Sequence, residues 1–401
     1  MNRRLQWVTL LTVTILSLVS CRATPSPSPG KVIKIVTSFP MQQVALGQSV
    51  VNSVKLALDE TDYRIGDYTI QLIVLDGGKA DGQWLPEKEA ENARLAVNDP
   101  QVIAYIGPLN SGAAKVSIPI TNQAGLLQIS PTNTWPGLTK VGFAPGEPGI
   151  FYPTGRRNYF RTAPTDDLQA PAAVNWAQSL GFKTVYILDD GETYGKGLAD
   201  LFEAFALDSS LHVMGHQTID KSATDFTPIL NQINRQIPNL DLIYFGGYSA
   251  NGAPALVQQM RRLNMRAGFM GPDAIVDTFF VQEAGPAAEG VYATLVGVPP
   301  TQLTEGKGAT FVNAYRQMYG IEPEAFSQFA FDATQVVLQA VQQAGDANRA
   351  RVLQAVEDMG ALEGAAGHFQ FDKNGDTTLL AVSGNVVRNG AFEFVDTLPI
   401  R

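Results

Sequence analysis

From residue 32 onward, short β-rich runs alternate with amphipathic helical stretches, and this alternation limits the possible folds more than any other feature of the chain. Strand and helix in strict succession imply parallel sheets covered by helices, because parallel neighbours need a long crossover connection. Residues 32–36 read as a strand. In 49–60, Val51, Val54 and Leu58 recur at helical spacing and mark one buried face. The pattern continues through a strand at 68–75, a helix at 86–98 opening with proline and acids, a strand at 102–106, a helix at 111–123 and a strand at 126–130. One doubly wound unit is complete at that point.

Residues 131–158 interrupt the rhythm with five prolines and five glycines before residue 158, so an irregular segment is expected there. A second unit then follows. Strands are expected at 158–161, 184–188, 211–215, 240–245, 268–270 and 290–296, with helices at 167–180, 195–207 and 254–263 and a further segment at 226–235. Three late helices, 306–319, 326–344 and 347–359, precede terminal strands at 368–371, 378–387 and 391–395. A third helical domain would need its own core, so the late helices are expected to return to the first unit. The fold class is therefore α/β: two doubly wound parallel-sheet lobes joined by a multi-strand hinge. The expected division is 32–165 with 298–375 for one lobe, and 166–297 with 376–401 for the other.

The N-terminus carries an address. Arg3 and Arg4 precede an apolar stretch too short to span a bilayer, the layout of a secretory signal over residues 1–20. Leu18-Val-Ser-Cys21 resembles a bacterial lipobox, in which Cys21 becomes the lipidated first residue and anchors the protein without a spanning helix. Residues 21–31, with three prolines alternating with serines, form a semi-extended linker. The expected location is outside the cytoplasm, on the outer face of the cytoplasmic membrane or in the periplasm. The net charge of −9 and the lack of any Lys/Arg run after residue 4 argue against nucleic acid as a partner.

Catalytic and metal motifs fail on inspection. Gly191-Glu-Thr-Tyr-Gly-Lys-Gly197 has the wrong spacing and ending for a phosphate loop. His212 and His216 lie in a β-rich run and read as surface histidines. Asp372-Lys-Asn-Gly-Asp376 begins like a calcium loop, but its glycine comes early and its twelfth position is Ser383, so a turn suffices. With one cysteine, three histidines and no Gly-x-Ser-x-Gly elbow, neither an enzyme, a metal site nor a cofactor is expected. More coherent is Ile106-Gly-Pro-Leu-Asn-Ser111-Gly112, which ends a strand and opens a helix whose N-terminus favours a carboxylate. Ser130-Pro-Thr-Asn-Thr134 likewise sits at the carboxyl end of a strand, where α/β folds bind ligands.

Together with Tyr159-Phe-Arg-Thr-Ala-Pro-Thr-Asp166, Asp189-Asp-Gly-Glu-Thr-Tyr194, Tyr244-Phe-Gly-Gly-Tyr248 and Phe269-Met-Gly-Pro-Asp273, these stretches resemble the branched-chain amino acid substrate-binding proteins of ABC transporters, within the type I periplasmic binding proteins. The resemblance spans residues 32–396. It implies that Ser111 and Thr134 hold the ligand carboxylate with backbone groups of Thr132 and Asn133 nearby, and that Asp273 meets the ammonium. It further implies that Tyr194 and Tyr248 close from the second lobe, and that Phe326 lines the side-chain pocket. Leu46 stands where an aromatic often packs, and Asn110 where some members have a disulfide cysteine. The implied partners are a small amino acid, the transmembrane subunits of an ABC permease and, through the lipid, a membrane; a monomer is expected. A ligand sensor of the same fold, for an amide, urea or another amino acid, is the alternative, and a cleft enzyme a more distant one.

Overall fold

The computed structural model describes residues 31–42, 45–80 and 82–400; the leader, Cys21 and most of the linker lie outside them. The first sheet comprises β1 (Lys31–Phe39), β2 (Arg64–Ile65), β3 (Tyr68–Asp76), β4 (Val102–Ile106), β5 (Leu127–Ser130) and β6 (Tyr159–Arg161), in the order β2-β3-β1-β4-β5-β6. Helices α1 (Ala45–Asp59), α2 (Pro86–Asn98) and α3 (Ser111–Gln123) connect its parallel strands. Strand β4, Val-Ile-Ala-Tyr-Ile, is buried at every position, as a parallel strand covered on both faces must be. Helix α2 starts with Pro86 in its first turn and carries Glu87 and Glu89 there, matching the positive end of its dipole.

The second sheet is built from β7 (Thr184–Asp189), β8 (His212–Thr218), β9 (Leu242–Gly246), β10 (Gly268–Gly271) and β11 (Tyr292–Val296), all parallel. Its helices are α4 (Asp166–Ser179), α5 (Thr193–Leu207), α6 (Thr227–Gln236), α7 (Ala253–Arg262) and the short α8 (Thr278–Ala284). Helices α9 (Gly306–Tyr319), α10 (Ser327–Ala344) and α11 (Arg349–Glu357) follow. They pack against the first sheet: α10 lies along α1, and Arg349 donates to the carbonyls of Val97, Val102 and Asp99 around β4. A small hairpin, β12 (Leu362–Glu363) and β13 (His368–Phe369), precedes β14 (Val382–Arg388) and β15 (Ala391–Thr397).

The two doubly wound lobes are as expected, and their sheets are mostly parallel with antiparallel pairings in two places. Strand β14 pairs antiparallel with β11, and β15 antiparallel with β14, giving the order β15-β14-β11-β10-β9-β7-β8; β2 is antiparallel to β3 at the edge of the first sheet. The turn between β14 and β15 is only two residues, Asn389 and Gly390, both at positive φ (52° and 76°), so this pair is a hairpin and cannot run parallel.

The chain crosses between the sheets after β6, after β11 and before β14. Each sheet also has a reversal of strand order, between β1 and β4 in the first and between β7 and β9 in the second. Crevices at such reversals, at the carboxyl ends of the strands, are where open α/β sheets receive ligands. No helix among the described residues is long and apolar enough to cross a membrane.

Candidate functional site

On the first lobe the site grows from two loops, one after β4 and one after β5. The Ser130 hydroxyl ties them together: it donates to the Pro108 carbonyl (3.1 Å) and accepts from the amides of Thr132 (3.2 Å) and Asn133 (3.0 Å). Thr132 Oγ1 donates to the Leu109 carbonyl (2.9 Å), as does Asn133 Nδ2 (2.8 Å), while Asn133 Oδ1 accepts from the Tyr159 hydroxyl. The donors of Thr132 and Asn133 are therefore used within the lobe, and these two residues shape the wall.

Ser111 opens α3 fully buried, its Oγ accepting from the Trp135 amide at 3.3 Å. The first-turn amides of α3 have no intrahelical acceptor and face this corner with the positive end of the dipole. Thr134 Oγ1 is buried without a partner. So is Asn110 Oδ1, although Asn110 occupies the N-cap, where its side chain would ordinarily accept from its own helix.

The second lobe supplies the acids and rings. Tyr194, in the first turn of α5, is buried; its hydroxyl donates to Asp273 Oδ1 and its ring lies 4.9 Å from that of Tyr248. Asp273 follows β10 and is also buried. The Gln169 amide donates to Asp273 Oδ2 (3.3 Å) and accepts from the Asp273 amide (3.0 Å). These are hydrogen bonds from neutral groups, so burial still dominates and pushes the Asp273 carboxyl up to about 7.

Beside it lies Asp166, the first residue of α4, fully buried and with neither carboxylate oxygen partnered. Burial first, and then the charge of Asp273, raises its carboxyl well above the ordinary range, while the Thr134 hydroxyl next to it and the Arg161 guanidinium lower it. The Asp166 amide donates to the Thr134 carbonyl at 3.0 Å, so the acid and the hydroxyl, though 32 residues apart in sequence, lie side by side. Tyr244, whose hydroxyl is likewise buried and unpartnered, feels both acids.

The two lobes touch. Trp84 Nε1 of the first donates to Glu192 Oε2 of the second at 3.3 Å, and Lys221 pairs with the same carboxylate. Trp135 lies so close to α5 that a Cβ on Gly197 would stand 2.3 Å from its ring. Between the lobes remains a cavity of about 40 Å³ lined by Leu46, Trp84, Leu109, Asn110, Tyr248 and Phe279, among others. That is the scale of one or two water molecules, so a ligand the size of leucine enters only if the lobes part.

Leu46 and Tyr248 thus line the interlobe cavity, while Ser111 and Thr134 stand at the α3 corner and Tyr194 and Asp273 meet across the second lobe. Phe326 is separate: it is buried at the start of α10 with its ring 6.0 Å from Phe329, and it is not among the residues lining the cavity. Sequence reasoning placed neither the cavity-lining Trp84, Leu109, Asn110 and Phe279 nor the buried Asp166 at the site; of these, Asn110 and Asp166 carry unpartnered polar atoms. For Asn110 there was no local signal. A visible signal existed for Asp166, since an acid directly after Thr165 and at the start of a helix sits where carboxylates are favoured; that it is buried with no hydrogen-bond partner could not be read locally.

Comparison with known proteins agrees with this architecture. The sequence profile of a family described as periplasmic binding protein matches residues 38–383. The Leu/Ile/Val-binding protein BraC3 of Rhizobium johnstonii is 28% identical over 373 residues, covering 92% of this chain and 95% of the relative. The crystal structure of leucine-binding protein LivK from Thermotoga maritima superposes with a TM-score of 0.80 at 24% identity, covering 91% of this chain and 98% of that one. LivJ of Streptococcus pneumoniae, a branched-chain amino acid transporter substrate-binding protein solved with isoleucine, gives 0.78 at 25% identity over 92% and 100% of the two chains.

Proposed function

Since the chain belongs to the periplasmic binding protein family, we propose that it captures an aliphatic, branched-chain α-amino acid between its lobes and delivers it to the membrane subunits of an ABC importer. The observation that carries this reading is the pairing of opposite deficits. Asp166 and Asp273 are buried acids with no cation bonded to them, and next to them Thr134, Ser111 and the first turn of α3 form a corner suited to an anion. A zwitterion with its ammonium toward the acids and its carboxylate toward α3 satisfies both at once. Leu46, Leu109, Trp84 and Phe279 offer the apolar surface for its side chain. The relatives that bind leucine, isoleucine and valine support the choice of ligand.

In this reading the lobes are residues 32–165 with 298–375 and residues 166–297 with 376–401, and the packing of α9 to α11 on the first sheet supports that division. Opening and closing about the crossing segments admits the ligand and buries it; the ligand is bound and released unchanged by a monomer. Cys21, cleaved and lipidated, tethers the exported protein through the proline-rich linker. Fatty-acid labelling lost in Cys21→Ser supports the anchor, and equal labelling of both proteins overturns it.

Calorimetry with leucine, isoleucine and valine, alongside their amides, urea and an aromatic carboxylate, tests the ligand class. Saturable one-to-one binding of the branched amino acids, far tighter than that of the others, is expected. Binding of urea or an amide with no response to any amino acid overturns the proposal.

A further inference from the structure

Strand β8 is the edge of the second sheet, and His216 on it is not the plain surface histidine that its sequence context implies. Whereas His212 is exposed, the His216 side chain is 14% exposed and held between two acids. Its Nε2 lies 3.1 Å from Asp189 Oδ2, and its Nδ1 lies 2.7 Å from Glu203 Oε2. Asp189 is buried at the end of β7 and is itself fixed by the Thr218 hydroxyl (2.9 Å) and the Gly191 amide (2.8 Å). One turn before Glu203 on α5 stands Asp200, and one donor atom each from Asp200, Glu203 and His216 lies within 4.8 Å of the others.

A buried carboxylate that fixes one ring nitrogen, while the other faces further carboxylates, is the arrangement that orients metal-binding histidines. We propose that Asp200, Glu203 and His216 bind one divalent transition-metal ion of the zinc type, with Asp189 orienting the imidazole. One nitrogen and two carboxylate donors, with a position left for water, suit zinc; magnesium and calcium prefer all-oxygen shells. The donors are side chains at separations that rotamer adjustment can reduce to a coordination sphere. Lys196 is the built-in competitor: its Nζ lies 2.7 and 2.8 Å from the two Asp200 oxygens. That pair is half-exposed, of a kind that contributes little to stability, so a doubly charged ion can displace the ammonium. The site joins β7, β8 and α5, the helix that also carries Tyr194.

Titration of the tag-free, chelator-stripped protein with Zn²⁺ alone tests the proposal. Expected are one zinc per chain, binding weakened at least about tenfold in both His216→Ala and Asp200→Asn, a comparable loss in Asp189→Asn, and tighter binding in Lys196→Gln. Asp200 is exposed, so Asp200→Asn gives an answer even where His216→Ala fails to fold. The proposal is overturned if zinc does not bind saturably, if Asp200→Asn leaves its affinity unchanged, or if calcium or magnesium binds equally well. None of these outcomes depends on the amino acid taken by the cleft.

Discussion

Arg161 and Asp166 are both fully buried and only five residues apart, yet the protein treats their charges in opposite ways. Arg161 Nε lies 2.7 Å from Asp376 Oδ1, and its other nitrogens donate to the carbonyls of Trp135 and Asn133 and to the Thr139 hydroxyl. Asp376 in turn accepts from Thr139 and lies 3.8 Å from Lys140. That network pins the 371–377 turn to β6 and holds the loop that carries Thr134. Asp166 has no partner on either oxygen, and Asp273, though hydrogen-bonded, has no cation. Buried polar groups in folded proteins are nearly always satisfied. Of those without partners among the described residues, Asn110, Thr134, Asp166 and Tyr244 belong to this one region. A buried charge that serves the architecture finds its partner within the chain, whereas these acids have no bonded cation there, and the proposed ligand ammonium would supply it.

The comparison is broken most sharply by removing one charge from each group and measuring both stability and affinity. Asp273→Asn retains an acceptor for Tyr194, so the ligand-free protein should melt no lower than wild type. Its affinity for the amino acid should fall by roughly 3 to 5 kcal/mol, about a hundred- to several-thousand-fold, as read by calorimetry. Arg161→Ala should do the reverse. It leaves Asp376 buried with only the Thr139 hydroxyl and the more distant Lys140, and should cost about 3 to 5 kcal/mol in urea unfolding. Its affinity should change only as far as the Thr134 loop shifts and Asp166 loses the nearby positive charge. If Arg161→Ala unfolds like wild type while Asp273→Asn unfolds far more easily, the roles assigned to the two pairs are wrong.

A smaller effect sharpens the same contrast. The Asp273 carboxyl, raised to about 7 by burial, is largely protonated below that pH, and an ammonium needs it ionised. Affinity should therefore fall about tenfold between pH 8 and pH 6 for the single proton that Asp273 must lose, with Asp166 acting in the same direction. The same raised value makes the contribution of Asp273 to ligand-free stability complete at low pH and lost as pH rises through about 7. Calorimetry across the range checks the sign, and a shallower profile in Asp273→Asn would assign part of it to this residue.

Local periodicity made most elements legible. Helices 86–98, 111–123 and 306–319 and strand 102–106 are read from sequence with the bounds the structure has, because spacings of two and 3.6 residues are short-range properties. Helix α8 escaped, being only seven residues long and started by an Asp277 cap that lies in a stretch with no clear period. The antiparallel return of β14 and β15 is likewise a matter of pairing between distant strands. The site divides along the same line. Ser111, Thr134 and Asp273 stand at strand ends in recognisable motifs, but the use of Thr132 and Asn133 within the lobe, the vacant valences of Asn110 and Asp166, and the carboxylates around His216 arise from contacts between separate segments. Arg161 and Asp376 are 215 positions apart, and nothing near either announces the other.

Whether the buried acids serve a ligand ammonium can be tested without altering the protein. Leucine, isoleucine and valine are each titrated beside the same molecule lacking its amino group, such as 4-methylpentanoate for leucine. The carboxylate corner and apolar wall are common to both members of a pair, so only the ammonium differs. The des-amino acid should bind at least about a hundredfold more weakly, the loss expected when buried carboxylates stay unpaired. Binding of the des-amino acid within about threefold of its amino acid, well short of that loss, would contradict that role for the acids.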